Sequence, residues 1–439
     1  MIHDNFSGVA AEFILKTAGV PFPRLSRLGA AHGDGREAKV YRAHFPASDI
    51  DGFSFFLVDV TVEEDGTVRL IEANTSNAAL SSCGAGDDDR ARHMAQAFEH
   101  RVPSGVSVVA LLAFQPGFTH LPEWFSRAAA FARHLSARRS VELRAWNEMP
   151  GQESVSVICG PIPELASLVE VRGRKFFVHG REVVFLTNCN ILPELVRLGK
   201  IARQKSGYAC DLSTFHEGEA AALAHDKGCQ QELARGTRIK PLDWREAADF
   251  AVAFDALDWF ADQGLVAMAK MNAGSGGAGI QPFTPDLTNA PRSRRLEKLI
   301  KSARDKHGQM TDETLYPIRI FEFAKARPYP LHGKGHLWDL RVQVLVSPGR
   351  IDTRACVVRL CPAPFDGSYN WNSVVSNLTG RDPARAMQFM RAPGAHRRSM
   401  EGTVLEGLGM GERDMRHVLR GCAQWAAAAW RSGGETSMR

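Results

Sequence analysis

Two carboxylates and an amide stand at spacings that could bring them together in the segment FLVDVTVEEDGTVRLIEANTSN. Apolar and polar residues alternate on both sides of Asp65-Gly66, which predicts a β-hairpin closed by a two-residue type I′ turn. In that register Asp59 lies directly opposite Glu72, with the two Cβ atoms about 5 Å apart. Asn74 follows Glu72 on the same face of the hairpin.

Two carboxylates that face each other across a strand pair repel unless a cation or a shared proton lies between them. Oxygens of Asp, Glu and Asn are hard ligands that Mg²⁺ accepts while it keeps positions for water and phosphate oxygens. We therefore predict a magnesium site at Asp59, Glu72 and Asn74; a solvated acidic face on an edge hairpin is the alternative. The other face of the hairpin is apolar and is expected to pack on a core through Val58, Val60, Ile71 and Ala73.

A second candidate site is the stretch AKMNAGSGGAGI, in which Lys270 ends an apolar run and a glycine-rich loop follows. A dinucleotide fingerprint needs a helix at the glycines, but IQPF reads as a returning strand. A P-loop needs Lys-Ser or Lys-Thr after the glycines, and neither is present. A hairpin of this kind can fold over a nucleotide, with backbone amides near the phosphates and a lysine beside them; a flexible surface turn is the alternative. The loop residues concerned are Gly274, Ser275, Gly276, Gly277 and Gly279.

The elements that must position these residues are mixed. VSVVALLAF, PEWFSRAAAFARHL, VELRAW and VSVICG alternate strand and helix, which predicts a small α/β layer with parallel strands, closed by a hairpin that turns at His179-Gly180. Asp243, with Glu246 three residues later, predicts the start of a helix that ends at Gly264. The last third of the chain alternates helices and strands in an α+β pattern.

Composition excludes several classes of protein. The 439 residues are 44% hydrophobic and 23% charged, as in a globular chain with several cores. Lys and Arg outnumber Asp and Glu by 54 to 49, too small an excess for a dedicated nucleic-acid binder. The 8 cysteines form no C-x-x-C pair, so neither a zinc site nor a disulfide framework is expected. MIHDNFSG is unlike a signal peptide and the longest apolar run is too short to span a bilayer, so we expect a cytoplasmic protein with no membrane partner.

These residues together resemble the ATP-grasp superfamily, ligases that hold ATP between two α+β lobes and use Mg²⁺ to activate a carboxylate. The segment from Asp226 to the glycine loop is similar to the family's ATP-lid lobe, which implies that Lys227 and Lys270 contact the nucleotide. Lys227 on an ordinary helix surface is the alternative. Glu322 in IFEFAKA is similar to the segment that joins the lobes beside the adenine.

The catalytic strands of the family also have counterparts. Asp339-Leu-Arg341 resembles its D-x-R strand, and Arg359 in ACVVRL resembles its catalytic arginine, although Arg354 could exchange roles with Arg359 through a register error. Asn377 in WNSVVSNLTG is similar to an asparagine near the phosphates. The resemblance implies that Arg341, Arg359 and Asn377 are catalytic.

The family places an acidic residue and then E-x-N after this asparagine loop, whereas here Asp59 and Glu72-Ala-Asn74 match that pattern near the other end of the chain. The resemblance thus implies an ATP-grasp fold that is circularly permuted, with its metal-binding hairpin supplied from the amino-terminal part. Its parts would be residues 1–100, the permuted segment of the catalytic lobe; 101–209, the preceding α/β substrate-side domain; 210–290, the ATP-lid lobe; and 291–439, the catalytic lobe.

The implied activity is that of an ADP-forming carboxylate–amine ligase that uses ATP and Mg²⁺, makes an acyl phosphate and forms an amide. Its substrates would be small molecules, an amino acid or a small peptide. A small-molecule kinase of the same fold and a non-catalytic nucleotide-binding scaffold are the alternatives. The resemblance leaves the oligomeric state open, although many members of the family are dimers.

Overall fold

The computed structural model describes residues 41–74, 85–114, 121–149, 151, 153–187, 191–204, 207–208, 226–271, 280–307, 317–376, 397–399 and 402–436. The predicted loop residues Gly274, Ser275, Gly276, Gly277 and Gly279, and the predicted catalytic Asn377, lie outside the described residues.

The strands are β1 (Arg42–Ala47), β2 (Ser54–Val62), β3 (Val68–Asn74), β4 (Val108–Phe114), β5 (Val141–Ala145), β6 (Val155–Pro161), β7 (Glu170–Arg172), β8 (Lys175–Val178), β9 (Arg181–Leu186), β10 (Arg203–Gln204), β11 (Gly207–Tyr208), β12 (Trp244–Ala247), β13 (Ala267–Met271), β14 (Ile280–Phe283), β15 (Ile318–Glu322), β16 (Tyr329–Leu331), β17 (Lys334–His336), β18 (Trp338–Ser347), β19 (Gly349–Leu360) and β20 (Arg397–Ser399). The helices are α1 (Ala85–Arg101), α2 (Leu121–Ser136), α3 (Ile162–Leu168), α4 (Ile191–Arg197), α5 (Lys227–Ala234), α6 (Phe250–Asp262), α7 (Asn289–His307), α8 (Trp371–Val374), α9 (Gly402–Gly407) and α10 (Glu412–Thr436).

Two sheets have six strands each, and the one with the longer strands, called the largest sheet below, joins the two ends of the described chain. Its order is β1-β19-β18-β2-β3, with β20 beside β19, and every pairing is antiparallel. One face packs against α10 through Phe56, Val58 and Trp425, and the other packs against α1 and the α/β layer through Phe55 and Leu57. Because both faces are covered, β2 is buried along its whole length.

The β2–β3 hairpin confirms that Asp59 lies opposite Glu72, although by another route than predicted. The amide of Glu63, not Glu64, pairs with Thr67, so the turn is one residue longer, and Gly66 has a φ of 86° in it. A bulge beside Asp59 then restores the predicted register. The bulge also overturns the predicted core position of Ile71, which packs instead with Leu242 and Phe321 on the opposite side of the hairpin.

A four-stranded sheet has the order β12-β15-β13-β14, and the strands on either side of the glycine loop pair antiparallel as predicted. The predicted helix start at Asp243 is wrong. Residues 244–247 form β12, which pairs with β15, and the helix starts at Phe250 with Asp249 as its N-cap. The pairing of Ala247 with Ile318 and the ion pair of Glu246 with Arg319 override the local capping pattern.

The predicted α/β layer is present in residues 108–186. Strands β5, β6, β4 and β9 are parallel, and β8 and β7 extend the sheet antiparallel. The predicted turn between β8 and β9 is confirmed, with positive φ at His179 (49°) and Gly180 (78°). The chain is thus a mixed α/β and α+β protein with several sheets.

Candidate functional site

Charged residues form one row across three neighbouring strands of the largest sheet. Glu72 on β3 lies opposite Asp59 on β2, and Asp59 lies opposite Arg341 on β18. Beside this row, Asp339 on β18 lies opposite Arg359 on β19. Strand register alone therefore brings together side chains that are far apart in the sequence.

Asp59 is completely buried and accepts hydrogen bonds on both carboxylate oxygens. Arg341 donates to Oδ1 from Nε and to Oδ2 from Nη2, each at 2.7 Å. Arg359 donates from Nη2 to the same Oδ2 at 2.8 Å. One carboxylate therefore holds two guanidinium groups in a fixed geometry.

Asp339 completes the arrangement. It accepts from Arg359 Nε at 2.5 Å and from the hydroxyl of Ser376. Burial and the nearby charge of Asp59 raise the pKa of Asp339, although Arg359 opposes that shift. Burial disfavours the charged form of Arg359, but Asp339 and Asp59 outweigh it and raise the pKa of that guanidinium.

Two lysines approach the row, one from the four-stranded sheet and one from helix α5. Lys270 on β13 donates from Nζ to the carbonyl of Ile71 at 3.2 Å and lies 5.1 Å from the ring centre of Phe321. Lys227 at the start of α5 donates to the carbonyl of Met271 at 3.0 Å. Burial lowers the pKa of both amines, that of Lys227 to about 8, while Glu72 opposes the shift.

Helix α5 is placed by polar contacts at its N-terminus and along one side. Asp226 caps it by accepting from the amides of Gly228 and Cys229, and also accepts from Arg319 at 2.7 Å. Gln230 exchanges hydrogen bonds with the backbone of Ala73, at 2.9 and 2.7 Å. The edge of β3 is thereby covered, and Lys227 is directed towards the row.

Glu72 lies among the positive charges of the two arginines and the two lysines. Its burial would raise the pKa, but Lys270, Lys227, Arg359 and Arg341 outweigh burial and lower the pKa to about 2. Asn74 Nδ2 donates to Glu72 Oε1 at 3.3 Å. Glu72 is therefore ionised at neutral pH, beside an amide that still has its own oxygen to offer.

These residues fit a magnesium ion in part. Glu72 and Asn74 supply adjacent hard oxygens. Asp59 does not fit in this arrangement, because guanidinium groups occupy both of its oxygens. Among the described residues, no group of three His, Cys, Asp or Glu side chains is arranged to hold a metal. The predicted metal role of Asp59 stays a prediction that this geometry does not favour.

Glu322 and Arg354, two other residues singled out from the sequence, have partners outside the row. Glu322 lies at the end of β15, where both oxygens accept from Arg69 Nη2 at 3.0 Å. Its predicted contact with a nucleotide stays untested. Arg354 pairs with Asp89 on α1 at 2.7 Å, so Arg359 and not Arg354 reaches Asp59.

Several contributors to the site were not singled out from the sequence. Ser376, Arg319 and Arg69 act through contacts between distant segments, and no local pattern marks them. Asp226 begins the segment similar to the ATP-lid lobe, but its capping role was not predicted, although an acidic residue just before a helix is a common N-cap.

The sequence matches no protein-family model and no curated protein. Among solved structures, the chain is similar to a provisionally assigned gamma-glutamylcysteine synthetase from Methylobacillus flagellatus KT, with 9% identity, a TM-score of 0.47, and 89% of this chain and 91% of that one covered. A likeness at that level decides neither fold nor activity. Within the described residues, no helix combines the length and apolar character needed to cross a membrane.

Proposed function

We propose that this chain is an ATP-dependent ligase that activates a carboxylate as an acyl phosphate and joins it to an amine. Four cationic groups converge on Glu72, namely Lys227 from α5, Lys270 from β13, Arg341 from β18 and Arg359 from β19, and this convergence carries the proposal. Facing cations of this kind suit the polyphosphate of ATP and the charge that develops during phosphoryl transfer. An amino acid or small peptide is the substrate class we propose.

In the first step, a substrate carboxylate oxygen bonds to the γ-phosphorus and the bond from that phosphorus to the bridging oxygen breaks, so ADP leaves. In the second, the amine nitrogen bonds to the acyl carbon, the carbon–oxygen bond to phosphate breaks, and the amine proton passes to solvent. Lys270 and Lys227 would hold phosphates, and Arg341 with Arg359 would stabilise the transferring group and the oxyanion.

Glu72 and Asn74 would hold Mg²⁺, whose chemistry here is to neutralise charge on phosphate oxygens. The glycine loop Gly274, Ser275, Gly276, Gly277 and Gly279 would cover the phosphates, with Asn377 close to them. Closing the loop would exclude water from the acyl phosphate. These assignments rest on the sequence pattern.

We further propose a circularly permuted ATP-grasp architecture. Its support is that β2 and β3 of the predicted segment 1–100 complete a sheet with β18 and β19 of the predicted lobe 291–439. The sheet that carries Lys270 also includes β15, so it extends past residue 290, the predicted end of the ATP-lid lobe. The α/β strands β4 to β9 fall within the predicted domain 101–209.

The test is ADP release from ATP and Mg²⁺ over pools of amino acids, with and without hydroxylamine to trap acyl phosphates. Wild type is compared with Glu72→Gln and Lys270→Met, and Lys298→Met on the exposed side of α7 is the matched control. We expect amino-acid-dependent ADP and hydroxamate in wild type and control, and neither in the two site variants.

Two other outcomes would count against the ligase. ADP with a phosphorylated product and no hydroxamate would indicate a small-molecule kinase. ATP that binds equally well to all four proteins and is never turned over would indicate a nucleotide-binding scaffold.

A further inference from the structure

Asp59 is the most enclosed charged group of the site. It is 0% exposed on β2, which lies between β3 and β18 in the interior of the largest sheet. Three charge-assisted hydrogen bonds of 2.7, 2.7 and 2.8 Å reach its two oxygens. Lengths in this range are those of strong guanidinium–carboxylate contacts.

The two arginines need such an anchor. Nη2 of Arg341 and Nη2 of Arg359 both donate to Asp59 Oδ2, so two positive groups converge on a single oxygen. Without the negative charge they would repel each other in a buried setting. Of the two arginines, Asp339 can hold only Arg359, since its described guanidinium partner is Arg359 Nε.

Magnesium ligation makes a different demand on a carboxylate. The ion needs an oxygen lone pair at about 2.1 Å and a nearly octahedral shell. At Asp59 a cation bound to either oxygen would lie next to a guanidinium group. Among the described contacts, the carboxylate of Glu72 accepts a hydrogen bond only from the neutral amide of Asn74, at 3.3 Å, and its cationic neighbours act on it through space, so its oxygens can still reach a metal.

We infer that Asp59 is a positioning residue that anchors Arg341 and Arg359, and that a divalent cation in this site takes its protein ligands from Glu72 and Asn74. This inference rests on the proposed function for the presence of a metal–nucleotide complex. It departs from the role expected of an acidic residue in a D…E-x-N pattern.

The first test measures metal binding without turnover. Mn²⁺ is titrated into wild type, Asp59→Asn and Glu72→Gln in the presence of ADP, and free Mn²⁺ is followed by electron paramagnetic resonance. We expect Asp59→Asn to bind Mn²⁺ within about threefold of wild type. Glu72→Gln should bind it at least about tenfold more weakly, as loss of a direct ligand requires. Equal weakening in the two variants would overturn the inference.

A second variant covers poor folding of Asp59→Asn. The double variant Asp59→Asn with Arg341→Gln removes both charges and keeps a polar cross-strand pair. If Asp59 is an anchor, the double variant also binds Mn²⁺ within about threefold of wild type. If Asp59 is a ligand, the double variant loses Mn²⁺ binding as Glu72→Gln does.

The anchor role has its own spectroscopic signature in the protein without nucleotide. The Nε–H of Arg341 donates to Asp59, whereas the Nε–H of Arg359 donates to Asp339. In ¹⁵N spectra of arginine Nε, Asp59→Asn should speed hydrogen exchange at Arg341 about tenfold or more while Arg359 stays protected. Unchanged protection of Arg341 would contradict the anchor role. Neither the Mn²⁺ titration nor the exchange measurement needs catalysis. A missing hydroxamate would therefore contradict the proposed ligase activity, and the role of Asp59 could still be decided.

Discussion

The two sides of the site hold their positive charges differently. On the largest sheet, Arg341 and Arg359 meet carboxylates at 2.5 to 2.8 Å in strand register. Lys270 on the four-stranded sheet and Lys227 at the start of α5 donate to main-chain carbonyls at 3.2 and 3.0 Å. A guanidinium held in a fixed fork of hydrogen bonds is positioned before a ligand arrives, whereas a lysine amine on a flexible stem can turn towards an incoming anion. We propose that this difference separates a preorganised side, formed by Arg341 and Arg359, from a responsive side, formed by Lys270 and Lys227.

The largest effect should follow from removing one of the arginines that pair with buried carboxylates. Arg359→Met leaves Asp339 and part of Asp59 uncompensated in the interior, which should lower the free energy of unfolding by about 3–5 kcal/mol. Arg354→Met is the matched control on the same strand, because Arg354 pairs with Asp89 away from the row. Its loss should cost about 1 kcal/mol. Urea unfolding measures both, and equal costs would mean that the row is not a buried charge network.

On the responsive side, a substitution should reduce ATP binding without reducing the stability of the fold. Lys270→Met removes a charge that burial already disfavours, so the free energy of unfolding should stay level or rise. Affinity for ATP, measured by calorimetry, should fall about 30-fold, as expected for one lost charge-assisted contact. Lys298→Met on α7 should change neither quantity. A large loss of stability in Lys270→Met would show that this lysine is structural, like the arginines.

A pH series separates the two sides further. The pKa of Lys227 falls from 10.5 to about 8 in the folded chain, so the unfolded chain binds the extra proton between those values. Stability carried by Lys227 therefore rises as pH rises from about 8 to 10.5. ATP affinity should move the other way, because the neutral amine holds phosphate poorly. Lys227→Arg should bind ATP with a flatter profile over this range, since a guanidinium stays charged. The same falling profile in Lys227→Arg would assign the titration to another group.

Local sequence patterns predicted those parts of the site that lie on one hairpin. The Asp-Gly turn and the alternation of β2 and β3 predicted the hairpin, but Asp59 faces Glu72 only because a longer turn and a bulge offset each other. The sequence also predicted a cation beside the two opposed carboxylates, and the Mg²⁺ assigned to that place stays a prediction. In the structure the positive charges near Glu72 are those of Arg341, Arg359 and two lysines of the chain itself.

Contacts between distant strands were beyond local reasoning. No turn connects β2 to β18, so nothing in the sequence sets the register that places Arg341 opposite Asp59. A bulge is also hard to predict from local sequence. Here one extra residue in β3 moved Ile71 off the expected face of the hairpin. At Asp243 a capping pattern was outweighed by the pairing of β12 with β15, which only the folded chain provides.

The smallest effect is expected where the two sides meet. Arg69 on β3 donates to Glu322 on β15 at 3.0 Å and pairs with Glu63 of its own hairpin at 2.9 Å. Glu322→Gln and Glu63→Gln each remove one partner of the same guanidinium, and each should cost about 1 kcal/mol of stability because the pairs are partly exposed. Of these two partners of Arg69, Glu322 lies on the other sheet and Glu63 does not, so the matched variants separate a structural link from a ligand contact.

If Glu322 serves mainly to hold Arg69, both variants should keep ATP affinity within about threefold of wild type. If it contacts the nucleotide, as the sequence suggests, Glu322→Gln alone should lose about tenfold. Calorimetric titration of both variants with ATP decides between these results. A loss of ATP affinity confined to Glu322→Gln would place Glu322 with the residues that respond to the nucleotide. Equal small losses of affinity in the two variants would place Glu322 with the fixed ion pairs.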